Sequence, residues 1–175
     1  MARYDVPIGP AIIEFGSSNP VVFDITIGGI VFSVETSQHN VRVDQFGETP
    51  VKSVMLGRTA QVTVPFALRD LERLKAVIPN SEFVRDSADP SKMKILVRAD
   101  AGYDMTEIAD KLVVKPTDPS ATPNDYITLP FAAPSADMEI TYTSDNEQVF
   151  NITFTAYPDD DGVLYILGDE TAEDN

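Results

Sequence analysis

The chain has 175 residues, 43% of them hydrophobic, no cysteine and a formal net charge of −15. That length suits one domain whose core needs no disulfide or metal staple, and the missing thiols remove disulfide frameworks, thiolate zinc sites and cysteine nucleophiles. All 13 Lys and Arg lie at or before Lys115; residues 1–115 carry 15 acids and the rest carry 13 acids and no base, so tight nucleic-acid binding, which needs clustered cations, is not expected.

The opening residues Met1-Ala-Arg-Tyr-Asp-Val-Pro7 lack the apolar run of a signal peptide, and no stretch approaches a membrane span. A soluble protein made in the cytoplasm, with no membrane partner, is expected. Pro and Gly recur between short alternating runs, the pattern of an all-β domain. Ile12–Phe15 is the first predicted strand, entered through Gly9-Pro10, and Val21–Ile25 is the second, closed by a turn at Gly28-Gly29. Next, Ile30, Phe32 and Val34 alternate with Val31, Ser33 and Glu35, a strand with one face in the core. A polar break at Gln38 separates it from a run in which Val41 and Val43 alternate with Arg42 and Asp44. Val51–Leu56 follows Gly47-Glu-Thr-Pro50. In Ala60–Phe66 the even positions are apolar and Gln61 and Thr63 point the other way.

The period then changes. Leu71, Leu74 and Ile78 recur at helical spacing within Leu68–Ile78, which Pro79-Asn80 ends. A second, shorter helix is predicted over Met105–Lys111. Lys92–Val97 and Leu112–Lys115 read as strands. Five prolines between Pro116 and Pro134 predict mostly loop there, with one short strand at Tyr126–Leu129. The alternating runs Met138–Tyr142 and Phe150–Ala156 flank a hairpin turn at Ser144-Asp-Asn146. Val163–Leu167 is the last strand, and Gly168–Asn175 reads as a frayed acidic tail. The expected architecture is mainly β: a single domain over residues 1–175, a β-sandwich or partial barrel with one flanking α-helix, a loop-rich elaboration over 79–134 and an acidic tail over 169–175.

Catalytic chemistry finds little to work with. Any Ser-His-Asp device would have to use the single histidine, His39, with Ser37 or Ser33 and Asp44 as neighbours, and no nucleophile elbow surrounds it. One His and no Cys disfavour a soft transition-metal site. The acids of Asp159-Asp160-Asp161-Gly162 are consecutive, whereas a calcium loop sets them at alternate positions, so this reads as an acidic turn. Gly28-Gly29 is a turn and no phosphate cradle. The expectation is no enzyme, no cofactor and no metal.

Two stretches carry a resemblance. The first runs from Gly29-Ile-Val-Phe-Ser-Val-Glu-Thr36 through Val51-Lys-Ser-Val-Met-Leu-Gly57 and Ala60-Gln-Val-Thr-Val-Pro-Phe66 into the helix. The second is Phe150-Asn-Ile-Thr-Phe-Thr-Ala-Tyr-Pro-Asp159 with Gly162-Val-Leu-Tyr-Ile-Leu-Gly-Asp169. A strand ending in an aromatic-Pro-Asp turn, then a short strand closing on Gly-Asp, resembles the end of the tail tube (major tail) proteins of tailed bacteriophages. The resemblance implies a β-sandwich with a flanking helix, assembled as hexameric rings in which sheets from neighbouring subunits join into one large barrel. Stacked rings would form the tube of a virion tail that conducts DNA during ejection. The implied partners are further copies of the chain, the tape measure protein, and the tail terminator and tail-tip proteins, with DNA passing through unbound. A tail terminator or a type VI-like tube subunit is the nearer alternative. A carbohydrate-binding β-sandwich, with Tyr103, Tyr126 and Tyr157 as platforms, is the more distant one.

A bore that passes a polyanion needs a wall of acidic and small polar side chains. The candidates are Ser33, Glu35, Asp44, Gln61, Thr63, Asn151, Thr153 and Thr155, with Arg42 as an exception paired to Asp44 or Glu35. Gln45, Phe46, Glu48, Thr49, Pro50 and Lys52, in the Pro-broken stretch Gln45–Val54, are candidate contacts to a neighbouring subunit. Asp159, Asp160 and Asp161 are candidate ring-stacking acids facing Lys or Arg of the next ring, a head-to-tail contact.

Overall fold

The computed structural model describes residues 9–67, 69–136, 140 and 147–173. The chain forms β1 (Ala11–Phe15), β2 (Val21–Phe23), β3 (Val31–Arg42), β4 (Pro50–Phe66), helix α1 (Leu71–Val77), β5 (Ser81–Arg85), β6 (Met93–Val97), β7 (Asp110–Pro116), β8 (Ile127–Ala136), β9 (Phe150–Ala156) and β10 (Ile166–Leu167). Seven strands in the order β2-β1-β7-β8-β9-β4-β3 make one antiparallel sheet, which β10 joins by pairing with the start of β8. Strands β5 and β6 form a separate two-stranded sheet. The mainly β class with one α-helix is the one the sequence predicts.

Alternation builds the core. Val62 stands across from Phe154, Val64 from Ile152 and Phe66 from Phe150, and all six are buried. The sheet curls so that β1 and β2 return over this face. Phe15 lies 5.0 Å from Phe154 between ring centroids, and Phe23 meets Phe66 edge-on at 5.0 Å, an arrangement that ring quadrupoles favour. Past β2, Ile27 N donates to Pro65 O and Ala67 N to Ile25 O, each at 3.0 Å. A lone bridge between Thr26 and Phe66 lies between them. The sheet thus wraps most of the way round on itself without a continuous closing ladder, a partial barrel.

Helix α1 begins where Asp70 accepts the amides of Glu72 (3.0 Å) and Arg73 (3.3 Å), satisfying donors that the first turn leaves unpaired. Leu74 and Val77 are its buried residues. It stops at Ile78 because the residue before a proline is pushed out of the helical region. The predicted start at Leu68 lies outside the described residues. Arg73 pins the helix to the sheet through Val22 O (2.9 Å) and Asp24 (2.8 Å).

Several expectations are corrected. The two predicted strands on either side of Gln38 are one 12-residue strand, and Val51–Leu56 and Ala60–Phe66 belong to one 17-residue strand. Gln38 pairs with Met55, and the irregularity is a bulge: Ser37 pairs with Gly57 and Gln38 with Met55, leaving Leu56 as an extra residue on β4. The extra residue shifts the side-chain pattern of β4, which is why that strand reads as two, whereas β3 alternates without a break and reads as broken only because its apolar positions change parity between Val34 and Val41. Asp44 lies in a 3-10 turn, Asp44–Phe46, and not in a strand. Met105–Lys111 is no helix either: a 3-10 turn, Met105–Ile108, is capped by Asp104 accepting Thr106 N at 2.9 Å, and Asp110 then opens β7.

Residues 79–134 are not one loop-rich excursion. They contain the β5–β6 hairpin, but also β7 and most of β8, which are central strands of the main sheet. The prolines of β8 are tolerated for local reasons. Pro130 lies in the register shift between the Leu112–Leu129 and Asp110–Ala132 pairs, and beyond Ala132 only β9 pairs with β8, so Pro134 has one unladdered side. The last predicted strand shrinks to Ile166–Leu167, with Tyr165 packed edge-on to Phe32 at 5.4 Å. The acidic tail is not frayed through residue 173. Gly168 N donates to Tyr126 O at 2.9 Å, Asp169 accepts Thr171 N at 2.9 Å, and Glu170 pairs with Lys111. The run Met138–Tyr142, apart from Ile140, and the turn Ser144–Asn146 lie outside the described residues.

Candidate functional site: a polar sheet face and an exposed arm

Residues directly opposite one another in a ladder share a face. Ser33 faces Gln61, which faces Thr155; Thr63 faces Thr153, which faces Ser135; Pro65 faces Asn151; Glu35 faces Thr59. The sheet therefore gathers Ser33, Glu35, Gln61, Thr63, Asn151, Thr153 and Thr155 on one continuous surface, the side turned away from the core. Glu35 is its single charge across 31–37, 57–65 and 151–155, which place Lys or Arg only at Arg58, on the other side by alternation.

Arg42 and Asp44 do not join them. Because β3 runs unbroken through Gln38, alternation puts Arg42 on the side opposite Ser33 and Glu35. Arg42 pairs with Glu48 at 2.9 Å, and with neither Asp44 nor Glu35. Asp44 sits in the turn at the far end.

Those far residues belong to a feature that the sequence reading broke into pieces. Strand β9 pairs only with Gln61–Phe66 of β4, so β3 and β4 continue beyond Ala60 as a two-stranded ribbon. From Glu35 to Thr59 nearly every residue is exposed, Val41 being half-buried. Phe46 is 64% exposed, Met55 59% and Leu56 68%. An isolated hairpin is marginal in water, and an unpaired strand edge invites another chain. The ribbon is electrically neutral: Glu35, Asp44 and Glu48 balance Arg42, Lys52 and Arg58, 3 − 3 = 0, so the whole −15 resides elsewhere.

The ribbon also inverts the pattern of the body. In the body half of β3 the core-facing residues are Phe32 and Val34; beyond the bulge the apolar residues are Val41 and Val43, of opposite parity. One side of the arm carries His39, Val41, Lys52 and Val54. The other carries a polar ladder in which Ser53 Oγ lies 2.8 Å from Asn40 Oδ1 and 3.2 Å from Gln38 Oε1. Arg58 Nε donates to Thr36 Oγ1 at 3.2 Å. Gln45, Phe46, Glu48, Thr49, Pro50 and Lys52 are gathered at the tip, where Gly47 takes a left-handed φ of 59° that glycine adopts without strain. Thr36, Gln38, Asn40, Met55, Leu56 and Arg58 were missed. The parity change between Val34 and Val41 is the signal that marks them.

The three consecutive aspartates are not equivalent and lie apart from the arm, in the turn between β9 and β10. Asp159 holds that turn by accepting Asp161 N (3.1 Å) and Val163 N (2.7 Å), while Asp160 and Asp161 are exposed. His39 stands exposed midway along the arm and makes no hydrogen bond to Ser33, Ser37 or Asp44. Tyr103, Tyr126 and Tyr157 are each half-buried.

No family model matches the chain, and no curated protein does. Among solved structures, the chain is similar to one in the cryo-EM structure of the anti-feeding prophage baseplate, 6-fold symmetrised, at 16% identity and a TM-score of 0.39 over 89% of this chain and 91% of that one. A likeness at that level leaves the functional reading to the residues themselves.

Proposed function

We propose that the chain is a structural subunit of a phage-type tail tube and not an enzyme, and that the β3–β4 arm and the open edge of β3 join copies into rings. The arm carries the reading: a long neutral ribbon, exposed on both faces, that holds Phe46, Val54, Met55 and Leu56 in the open. Pairing the edges of β3 and β4 with neighbouring copies removes two unladdered edges per subunit and continues the sheet around a closed barrel. The surface of Ser33, Gln61, Thr63, Asn151, Thr153 and Thr155 then lines the bore. It offers no Lys or Arg to grip phosphate, and Glu35 repels it, so a polyanion slides past without adhering.

Six copies per ring, stacking of rings, the tape measure, terminator and tip proteins as partners, and residence in a virion tail follow from the resemblance to tail tube proteins. The test is electron microscopy and sedimentation of the purified chain over a range of concentrations. Rings or hollow filaments are expected, and a chain lacking Phe46–Pro50 should stay monomeric with an unchanged circular dichroism spectrum. A wild-type chain that remains monomeric at every concentration, or normal tubes from the deletion, would overturn the reading. Rings that never stack would favour a terminator-like part instead.

A further inference from the structure

The outward polar face of the sheet has an apolar patch at each end. At the body end, Thr26 bridges the buried Phe66, with Ile27 N donating to Pro65 O and Ala67 N to Ile25 O. Alternation therefore turns Ile25 and Ile27 away from the core, to the side of Pro65 and Asn151. Val31, opposite Thr63, stands on the same side. All three side chains are exposed, and they follow the margin of the sheet in steps of roughly 7 Å. At the arm end, β3 alternates without a break, so Val41 shares the side of Ser33 and Glu35, and Val43, still extended, follows it. Val54, opposite His39, lies on that side as well, with Lys52 at the border of the patch. Val43 and Val54 are exposed and Val41 is half-buried.

The two patches match in chemistry. Both consist of β-branched aliphatic side chains at the two-residue repeat of a strand. Such side chains are stiff at χ1, so burying them costs little rotamer entropy. They match in charge as well. No charged residue occurs from Ile25 to Val34, and the arm from Glu35 to Thr59 sums to zero, so all of the −15 lies outside residues 25–59. Two copies that meet through residues 25–59 bring no net charge together, whereas the rest of the chain repels its like.

We propose that the two patches are the two halves of one head-to-tail contact: Val41, Val43 and Val54 of one copy pack against Ile25, Ile27 and Val31 of a second copy, and this contact stacks successive rings. The inference rests on the assembly reading above. Val31 and Val41 lie roughly 33 Å apart at the rise of a strand, so joining opposite ends displaces the second copy along β3. Two different surfaces meet, so the contact repeats without closing, as a stack requires. A patch joined to its own counterpart would instead be two-fold and would stop at a dimer. The free edges of β3 and β4 serve the ring, and this face serves the stack.

The chain contains no cysteine, so introduced thiols report the contact cleanly. Ile27→Cys and Val54→Cys chains are made separately, mixed in equal amounts at high concentration and treated with a bismaleimide spanning about 10 Å, the spacing of packed sheets. The dimers are then sorted by mass. The mixed dimer should exceed either like-with-like dimer by about tenfold, against about twofold for random pairing. Ser37→Cys, on the same face midway between the patches, should give no such excess with Val54→Cys. All three substitutions replace exposed side chains, and circular dichroism checks each fold. In the otherwise wild-type chain, Ile27→Asp should raise the concentration needed for filaments by about tenfold and leave rings intact. A random ratio, like-with-like dimers in the majority, or no dimer at all overturns the proposal. The two readings fail separately: rings without the mixed dimer remove only this contact, and the mixed dimer in a chain that never forms rings removes only the ring.

Discussion

Strands β3 and β4 pass through two environments, and the contrast between them explains the molecule. In the body, β4 alternates buried and wet residues: Ala60, Val62, Val64 and Phe66 are buried, and the residues between them face outward. A second layer of β1 and β2 covers the buried side. In the arm, nearly every residue of the same two strands is exposed, Val41 being half-buried, and neither outer edge pairs with another described strand. The backbone geometry is continuous, so local propensity does not distinguish the halves. What differs is whether the chain supplies its own cover. The body is stabilised by burial within one molecule; the arm has burial available only from another.

Truncations on the two sides should therefore separate stability from assembly. The largest effect is expected from Phe154→Ala. Phe154 is fully buried against Phe15 and Phe23, and such a cavity costs about 3–5 kcal/mol out of a total of about 5–15. The urea midpoint should fall steeply with the m-value unchanged. Phe46→Ala, at the arm tip, should leave that midpoint within about 0.5 kcal/mol of wild type. It should instead raise the concentration at which rings form by about tenfold or more, as removal of an aromatic anchor does. An equal loss of monomer stability in both variants would break the comparison. Hydrogen exchange sharpens it further: amides from Thr36 to Met55 should exchange fast in the monomer and slowly in the assembly, whereas those of Val62 and Ile152 should track global unfolding in both.

How much of this the sequence made legible depends on which neighbours a residue has. Phe150–Ala156 and Ile12–Phe15 are readable because one face is buried throughout, so alternation is unbroken. The seven polar residues that share the outer face were legible for the same reason. The arm was not, because its alternation reverses at a bulge and its polar middle, Thr36–Asn40, looks like a linker when no partner is in view. Strand β8 was hidden by Pro130 and Pro134, which are harmless only because the pairing changes from β7 to β9 between them, a fact of topology and not of local sequence. The pairing of Glu170 with Lys111 joins residues 59 positions apart and leaves no local trace.

The smallest predicted effect sets two ion pairs against each other. In the body, Arg73 bonds Asp24 at 2.8 Å while also donating to Val22 O, and this hydrogen bond holds the Asp24 carboxyl below the usual aspartate range. A carboxyl whose folded value is lowered takes up protons more readily in the unfolded chain. Its contribution is therefore complete above the unfolded value, near pH ~4, and is lost as pH falls through the folded one. Asp24 is about half exposed, so solvent screens the pair and the gain is small. Asp24→Asn should lower the melting temperature slightly at neutral pH, and the difference from wild type should vanish in acid. In the arm, Arg42 and Glu48 meet at 2.9 Å, but Glu48 is 95% exposed and Arg42 about half exposed, so solvent screens the pair. Glu48→Gln should leave the monomer melting curve unchanged at both pH values. A larger effect from Glu48→Gln than from Asp24→Asn would mean that the arm is anchored to its own body, and its role as a surface awaiting another copy would have to be abandoned.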